Sequence, residues 1–131
     1  MLFDYTFNDY ASTDIVFTNI GHVDAQLVAE IYGYIENPKI EMYQDNVLIS
    51  TVAFNVVVVD GDKIIYSARD GNNYCVFEDS LGVQTNGISS LNLSNQNFFK
   101  IPKGTVKFVI SSDTGLYSKI VFRIITSYKG V

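Results

Sequence analysis

Hydrophobic and polar residues alternate along much of this chain with a period of two, the spacing of a β-strand that has one buried and one exposed face. The clearest segment covers residues 119–128. One of its faces carries Ile120, Phe122, Ile124 and Tyr128, and the other carries Lys119, Arg123 and Ser127. Residues 39–44 alternate in the same way, with Ile40 and Met42 on one face. Both segments are therefore predicted to be strands that cover a hydrophobic core.

Short runs rich in β-branched and aromatic residues extend this pattern, and turn-forming pairs such as Asp60-Gly61 separate them. The predicted strands cover residues 14–19, 26–35, 39–44, 47–59, 63–68, 74–78, 89–93, 97–101, 106–111 and 119–128. Residues 25–32 also approach helical spacing, but Gly33 and Pro38 favour a strand there. The strand 47–59 is expected to be long and to bend near Asn55, and its four consecutive valines at 56–59 predict that this part is buried on both faces.

About ten strands with long non-local connections predict an all-β fold, a two-sheet antiparallel β-sandwich of the jelly-roll or galectin-like type. A closed barrel is the alternative. The length of 131 residues, with no linker or repeat, predicts a single sandwich domain over residues 1–131. Residues 1–12 are expected to form an N-terminal arm, and the segment 1–19 is a candidate to pair with the edge strand of a neighbouring subunit.

Composition and charge exclude several classes of protein. The chain is 47% hydrophobic, 14% aromatic and only 18% charged, which excludes a disordered protein. Its net charge of −5 argues against binding to a nucleic-acid backbone. No apolar run is long enough to cross a membrane, and the N-terminus lacks the basic region of a signal peptide. We therefore expect neither nucleic acid nor a membrane as a partner.

The residues that usually carry chemistry are few and isolated. His22 is the single histidine and has no candidate partner nearby in the sequence, and Cys75 lies in an apolar strand that predicts a buried, inert thiol. The Asp-Gly pairs are explained by hairpin turns and lack the spaced series of acids that a calcium loop needs. We expect no catalytic residue, no metal and no cofactor, and hence no enzyme.

Aromatic residues provide the candidate interaction site instead. Phe98 and Phe99 are adjacent in NFFKIPKG at 97–104, so a strand would point them to opposite faces. One would then fill the core and the other would be an anchor against another chain, although burial of both inside the protein is the alternative. Tyr32, Tyr34 and Tyr43 are predicted to project from one face, either as part of a protein interface or as a platform for a sugar.

Four segments carry a resemblance to a known family. They are GHVDAQLVAEIYGYIENPKIEM at 21–42, DKIIYSARDG at 62–71, NFFKIPKGTVKFVI at 97–110 and the closing SKIVFRIITSYKGV at 118–131. In this order they resemble the C-terminal, galectin-like β-sandwich of the distal tail proteins of long-tailed bacteriophages (siphophages). Members of that family normally carry a further N-terminal ring-forming domain, for which residues 1–12 leave no room. The chain is therefore expected to be a stand-alone homologue, an accessory protein of the tail tip or an excised domain.

The resemblance implies a structural subunit of the phage tail tip or baseplate, located in the virion. Such a subunit acts as an adaptor or hub-associated protein that docks other tail and baseplate proteins, and it is expected to form a homo-oligomer in that assembly. The alternative function is a carbohydrate-binding module that recognises a polysaccharide on the host cell surface, which the tyrosine-rich composition favours. Since one fold serves many functions, the fold alone does not decide between these two.

Overall fold

The fold is that of a computed structural model, described for residues 2–8, 13–20, 24–69, 72–87, 100–113 and 119–125. In these residues every assigned element is a β-strand, and all strand pairs are antiparallel. The strands are β1 (Leu2–Asn8), β2 (Thr13–Asn19), β3 (Gln26–Tyr32), β4 (Ile35–Glu36), β5 (Lys39–Gln44), β6 (Val47–Ala53), β7 (Val57–Val58), β8 (Lys63–Arg69), β9 (Asn72–Glu78), β10 (Gln84–Asn86), β11 (Gly104–Ser111) and β12 (Lys119–Ile125).

The strands form two large sheets and one small one. The six-stranded sheet has the order β1-β12-β3-β8-β9-β10, and the four-stranded sheet has the order β2-β11-β5-β6. The short strands β4 and β7 pair with each other. This arrangement confirms the predicted all-β antiparallel sandwich.

The core lies between the inner faces of the two large sheets. Alternate residues of β3, β5, β8, β11 and β12 contribute to one buried cluster, as the period of two predicts. Phe108 on β11 and Phe122 on β12 meet edge to face, with ring centroids 5.4 Å apart, and Phe54 meets Tyr66 of β8 in the same way at 5.8 Å. These aromatic pairs join the two sheets and fix how one lies over the other.

Turn chemistry sets the ends of the hairpins. Asp45 and Asn46 between β5 and β6 both have positive φ angles, 54° and 63°, as a two-residue type I′ turn requires. Before β8, Gly61 has a φ of 90°, and the amide of Asp62 donates a hydrogen bond to the carbonyl oxygen of Val59. The second of these turns confirms the Asp60-Gly61 pair as a turn signal.

Two predicted strands are divided in the structure. The predicted strand 26–35 ends at Tyr32 as β3, and Ile35 belongs to β4 of the small sheet. Residues 47–59 do not form a single element, because β6 ends at Ala53 and the chain then leaves the four-stranded sheet. The amide of Asn37 donates to the carbonyl oxygen of Val56, and β7 pairs with β4 instead. Val57 and Val59 are 49% and 48% exposed, so the prediction that 56–59 is buried on both faces is also wrong.

The N-terminal residues lie differently from the expected arm. β1 pairs along its whole length with β12 of the same chain, so it forms one edge of the six-stranded sheet. The short polar strand β10, which was not predicted, forms the other edge. The predicted strand 89–93 lies outside the described residues, as do residues 97–99 of the predicted strand 97–101. Ile101 itself forms an isolated bridge with Ala25.

Candidate functional site

The outer face of the six-stranded sheet carries a row of charged and aromatic side chains. The register places Lys119, Tyr32, Lys63, Glu78 and Gln84 side by side across five neighbouring strands. The Tyr32 ring lies between two ammonium groups, with its centroid 4.8 Å from Lys119 Nζ and 5.2 Å from Lys63 Nζ. Both distances are within the range of a cation–π interaction, which holds the ring in place on the sheet.

Glu30 is the centre of an ion network on the same face. It is only 6% exposed, although it lies on the side of β3 that faces away from the core. Lys63 Nζ donates to Glu30 Oε1 at 2.9 Å and lies 3.3 Å from Glu78 Oε2, while Arg123 Nη1 donates to Glu30 Oε2. This network joins the four strands β12, β3, β8 and β9 by their side chains.

The pKa values follow from this geometry. Burial alone would raise the pKa of Glu30, but the hydrogen bonds from Lys63 and Arg123 outweigh it, so the pKa lies below its usual value. Burial alone would lower the pKa of Lys63, but its hydrogen bonds to Glu30 and Glu78 and the nearby negative charge together outweigh that effect, so this pKa is raised. Both groups stay charged across the physiological range, which suits a fixed structural pair better than proton transfer.

Replacing Glu30 by glutamine tests this network. We expect a loss of about 1–2 kcal/mol in the free energy of unfolding at neutral pH, since hydrogen bonds to charged groups are lost while the exposure of Arg123 screens the effect. Because the folded pKa of Glu30 is depressed, its stabilisation is present above the unfolded pKa of about 4.3 and disappears as the pH falls through the lower folded value. The two unfolding curves should therefore converge on acidification.

Urea titrations followed by circular dichroism at several pH values measure this difference. Glu41→Gln, on the outer face of the four-stranded sheet, is the control and should change stability by less than about 0.5 kcal/mol at every pH. A gap between the wild type and Glu30→Gln that does not narrow as the pH falls below the unfolded pKa would contradict the network, because protonation of Glu30 should remove its advantage.

The predicted tyrosine face is wrong. Tyr32 lies on the six-stranded sheet, Tyr43 lies on the outer face of the four-stranded sheet, and Tyr34 lies between β3 and β4. Tyr43 contacts Lys107, whose Nζ is 5.5 Å from the ring centroid. Tyr34 is 43% exposed and donates to Glu36 Oε2 at 2.7 Å, a hydrogen bond that raises the pKa of its hydroxyl. Since they do not share a surface, they do not build one sugar platform.

The other sequence-predicted residues fall partly outside the described chain. Phe98, Phe99 and His22 lie outside the described residues, and their predicted roles remain predictions. Cys75 is 1% exposed, which confirms its predicted burial. Among the described residues, no group of three or more His, Cys, Asp or Glu side chains is placed to hold a metal ion.

Two exposed apolar surfaces were not predicted. The first is the start of β6, where Val47, Leu48 and Ile49 are 60%, 46% and 38% exposed. The second is the turn between β9 and β10, where Leu81 is 87% exposed. Asp79 holds this turn in shape, because its Oδ1 accepts from the amides of Leu81 and Val83 at 2.9 and 3.0 Å. Apolar side chains held outward in this manner are typical of protein interfaces.

A polar cleft lies on the surface of the described part of the chain. It has a volume of about 410 Å³ and lies at one end of the four-stranded sheet. Its lining consists of Asn37, Lys39, Ala53, Phe54, Asn55, Ser111, Ser112 and Asp113. Within this cleft Asn37 Nδ2 donates a hydrogen bond to Asp113 Oδ2 at 2.8 Å, so the Asp113 carboxylate already has a partner. In the part of the chain that the structure describes, no helix is long and apolar enough to span a membrane.

Comparison with known proteins bears on the fold. The sequence matches no protein-family model and no curated protein. The structure is similar to a chain of the phage P2 baseplate, solved in its activated conformation with Ca, with a TM-score of 0.62 and 14% identity. The chain has a phage-baseplate-like fold. The match covers 86% of this chain but only 36% of the baseplate chain, so it corresponds to a part of that protein.

Proposed function

We propose that this protein is a non-enzymatic structural subunit of a bacteriophage baseplate or tail tip, where it acts as an adaptor that docks other tail proteins. The observation that carries this proposal is the shared fold with a phage P2 baseplate chain over 86% of the length. At 14% identity that likeness describes the fold, and the function rests on further support.

The sequence provides part of that support. The segments that resemble the galectin-like domain of distal tail proteins coincide with β3, β5, β8, β11 and β12, which form the centres of the two large sheets. The resemblance therefore concerns the framework of the sandwich, and it supports the proposal that the chain belongs to that galectin-like class.

The surface provides the other part. Aromatic and apolar side chains point outward from this surface, and the Tyr32 ring is held in place by two lysines. A side chain that is already ordered in the free protein loses little conformational entropy when a partner covers it. Such surfaces suit an adaptor that contacts several proteins at once.

Localisation in phage particles tests this function. Antibodies against the purified protein should label the tail tip of particles released by the bacterial strain that encodes it, seen by immunogold electron microscopy. Particles from a strain that lacks the coding sequence are the control and should show no label, and they should show incomplete tail tips. Purified particles that contain none of the protein by mass spectrometry would overturn the proposal.

A further inference from the structure

Two turns of the six-stranded sheet meet at the end where β8 begins and β9 ends. Residues 59–62 precede β8 and residues 79–83 follow β9, and these two strands are antiparallel neighbours. A Cβ atom built on Gly61 would lie 3.3 Å from the Cβ atom of Ser80, so the two turns lie side by side. We call residues 59–62 and 79–83 together the two-turn surface.

The main chain of the second turn is fixed by Asp79 and Gly82. Asp79 Oδ1 accepts from the amides of Leu81 and Val83, and the amide of Gly82 donates to the carbonyl oxygen of Asp79 at 3.0 Å. Aspartate at the first position and glycine at the fourth are the usual residues of such a β-turn. The turn therefore needs no apolar residue between them.

The two-turn surface nevertheless exposes apolar side chains to water. Leu81 is 87% exposed, Val83 is 57% exposed and Val59 is 48% exposed. Single exposed apolar residues are common on protein surfaces, but these three lie on one pair of adjacent turns. Neither the turn nor the core accounts for Leu81, whereas a partner that covered it would gain the free energy of burying its side chain.

Uncompensated negative charge accompanies these apolar side chains. Residues 59–63 and 78–83 contain four acids and one lysine, which gives −3 of the net −5 of the whole chain. The lysine, Lys63, is already paired with Glu30 and Glu78. In the part of the chain that the structure describes, Asp60 and Asp62 form no ion pair. The surface therefore combines exposed apolar groups with carboxylates that lack a cation.

We propose that the two-turn surface is a docking site for a basic segment of a partner protein. An apolar pocket of that segment receives Leu81, and lysine or arginine side chains beside the pocket meet Asp60 and Asp62. This inference rests on the proposed adaptor function and deepens it, since it gives the chemistry of one protein that the adaptor holds. The fixed main chain of the turns lowers the entropy cost of docking.

Charge distinguishes this partner from other kinds. A second copy that used the same surface would place carboxylates against carboxylates, and nucleic-acid backbones and anionic membrane surfaces are also negatively charged. A metal ion is not favoured, because no group of three or more His, Cys, Asp or Glu side chains in the described ranges is placed to hold one. A basic protein segment complements both the charge and the apolar side chains.

Photo-crosslinking in assembled phage particles tests this surface. A benzophenone amino acid replaces Leu81 in the whole chain, and a control variant carries it in place of Val16, which is 62% exposed on β2 of the other sheet. Irradiation of particles with the first variant should link position 81 to another protein, at a segment rich in lysine or arginine. The control variant should not give a link to this segment.

The linked segment, synthesised as a peptide, gives a quantitative readout with the purified chain by fluorescence anisotropy at about 50 mM and about 500 mM NaCl. Leu81→Ser should weaken binding about tenfold or more at both salt concentrations, because it removes the apolar contact. Asp60→Asn combined with Asp62→Asn should weaken binding about tenfold at low salt and have little effect at high salt, because added ions screen these charges. An Asn-Gly pair forms this kind of turn as readily as Asp-Gly, so the fold is kept.

Matched controls remove the same groups from the four-stranded sheet. Val16→Ser removes an exposed apolar side chain, and Glu41→Gln combined with Asp45→Asn removes two negative charges. Both should leave the affinity for the peptide unchanged.

The outcomes separate this inference from the baseplate role. Particles that contain the chain but give no link from position 81, or a link to an acidic segment or to a second copy, would overturn this inference alone. Equal losses of affinity in the variants and their controls would do the same. Particles that lack the chain would overturn the baseplate role and this inference together.

Discussion

Replacing Phe122 by alanine is expected to lower the free energy of unfolding by about 3–5 kcal/mol. Phe122 is fully buried on β12 and meets Phe108 of the opposite sheet edge to face. The neighbouring residue on β3 in the register is Ala29, whose small side chain leaves room for the ring. Backbone pairing on both sides of β12 prevents the strand from closing the space, so a cavity should remain.

Urea unfolding followed by far-ultraviolet circular dichroism measures this loss, and tyrosine fluorescence is a second probe because the chain has no tryptophan. Val109→Ala is the control, since Val109 lies next to Phe108 on β11 but faces outward and is only half-buried. It should cost about 1 kcal/mol or less. In a double-mutant cycle with Phe108→Ala, the two phenylalanines should show a coupling of about 0.5–1.5 kcal/mol. If Phe122→Ala costs no more than Val109→Ala, the two sheets do not pack through this aromatic pair.

Strand periodicity predicted the central strands because burial acts on alternate residues. β5 covers residues 39–44, as predicted, and the alternation of 119–128 is confirmed over the described residues 119–125. In the predicted strand 26–35, Leu27, Ala29 and Ile31 face the core. In these strands one face is packed against the core and the charged residues lie on the other face, beside Val28 and Val121, so the period of two is readable from the sequence.

Strand periodicity gave wrong predictions where an apolar residue can lie either in the core or at the surface. Residues 47–59 are apolar both because Val52 enters the core and because Val47 and Val57 lie at the surface, and an apolar run does not distinguish the two. β10 was missed because its three polar residues have no hydrophobic period. In each case the position of a strand in the sheet decides its exposure, and that position is a property of the fold as a whole.

The Glu30 network shows why contacts between distant side chains are hard to predict from the sequence. Its partners Lys63 and Arg123 are 33 and 93 residues away along the chain, and only the register of β3 with β8 and β12 brings them together. One signal was present in the sequence, because Glu30 is a charged residue in the apolar stretch LVAEIY. A carboxylate in such a strand needs a cation on a neighbouring strand, but the sequence does not say which one.

Replacing Gly33 by alanine is the second large effect that we expect, with a loss of about 3 kcal/mol or more in the free energy of unfolding. A Cβ atom at this position would lie 2.0 Å from the carbonyl oxygen of Val59 and 2.5 Å from that of Val58. Both are main-chain atoms, so a side-chain rotation cannot relieve the contact. Gly33 also donates its amide hydrogen to the carbonyl oxygen of Asp62, which ties the end of β3 to the turn before β8.

The substitution should also weaken the pairing of β4 with β7, because that pairing depends on the close approach of Gly33 to the main chain of Val58 and Val59. Gly82→Ala is the matched control: Gly82 has a φ of 83° with no atom within 4 Å of the added Cβ, so the cost is backbone strain alone, about 1–2 kcal/mol. Thermal and urea unfolding of both variants give the comparison, and hydrogen exchange of the Val57 and Val58 amides reports on β7. Equal losses in the two variants would mean that the chain at 57–59 can move away from Gly33, and the small sheet would then not be a rigid part of the fold.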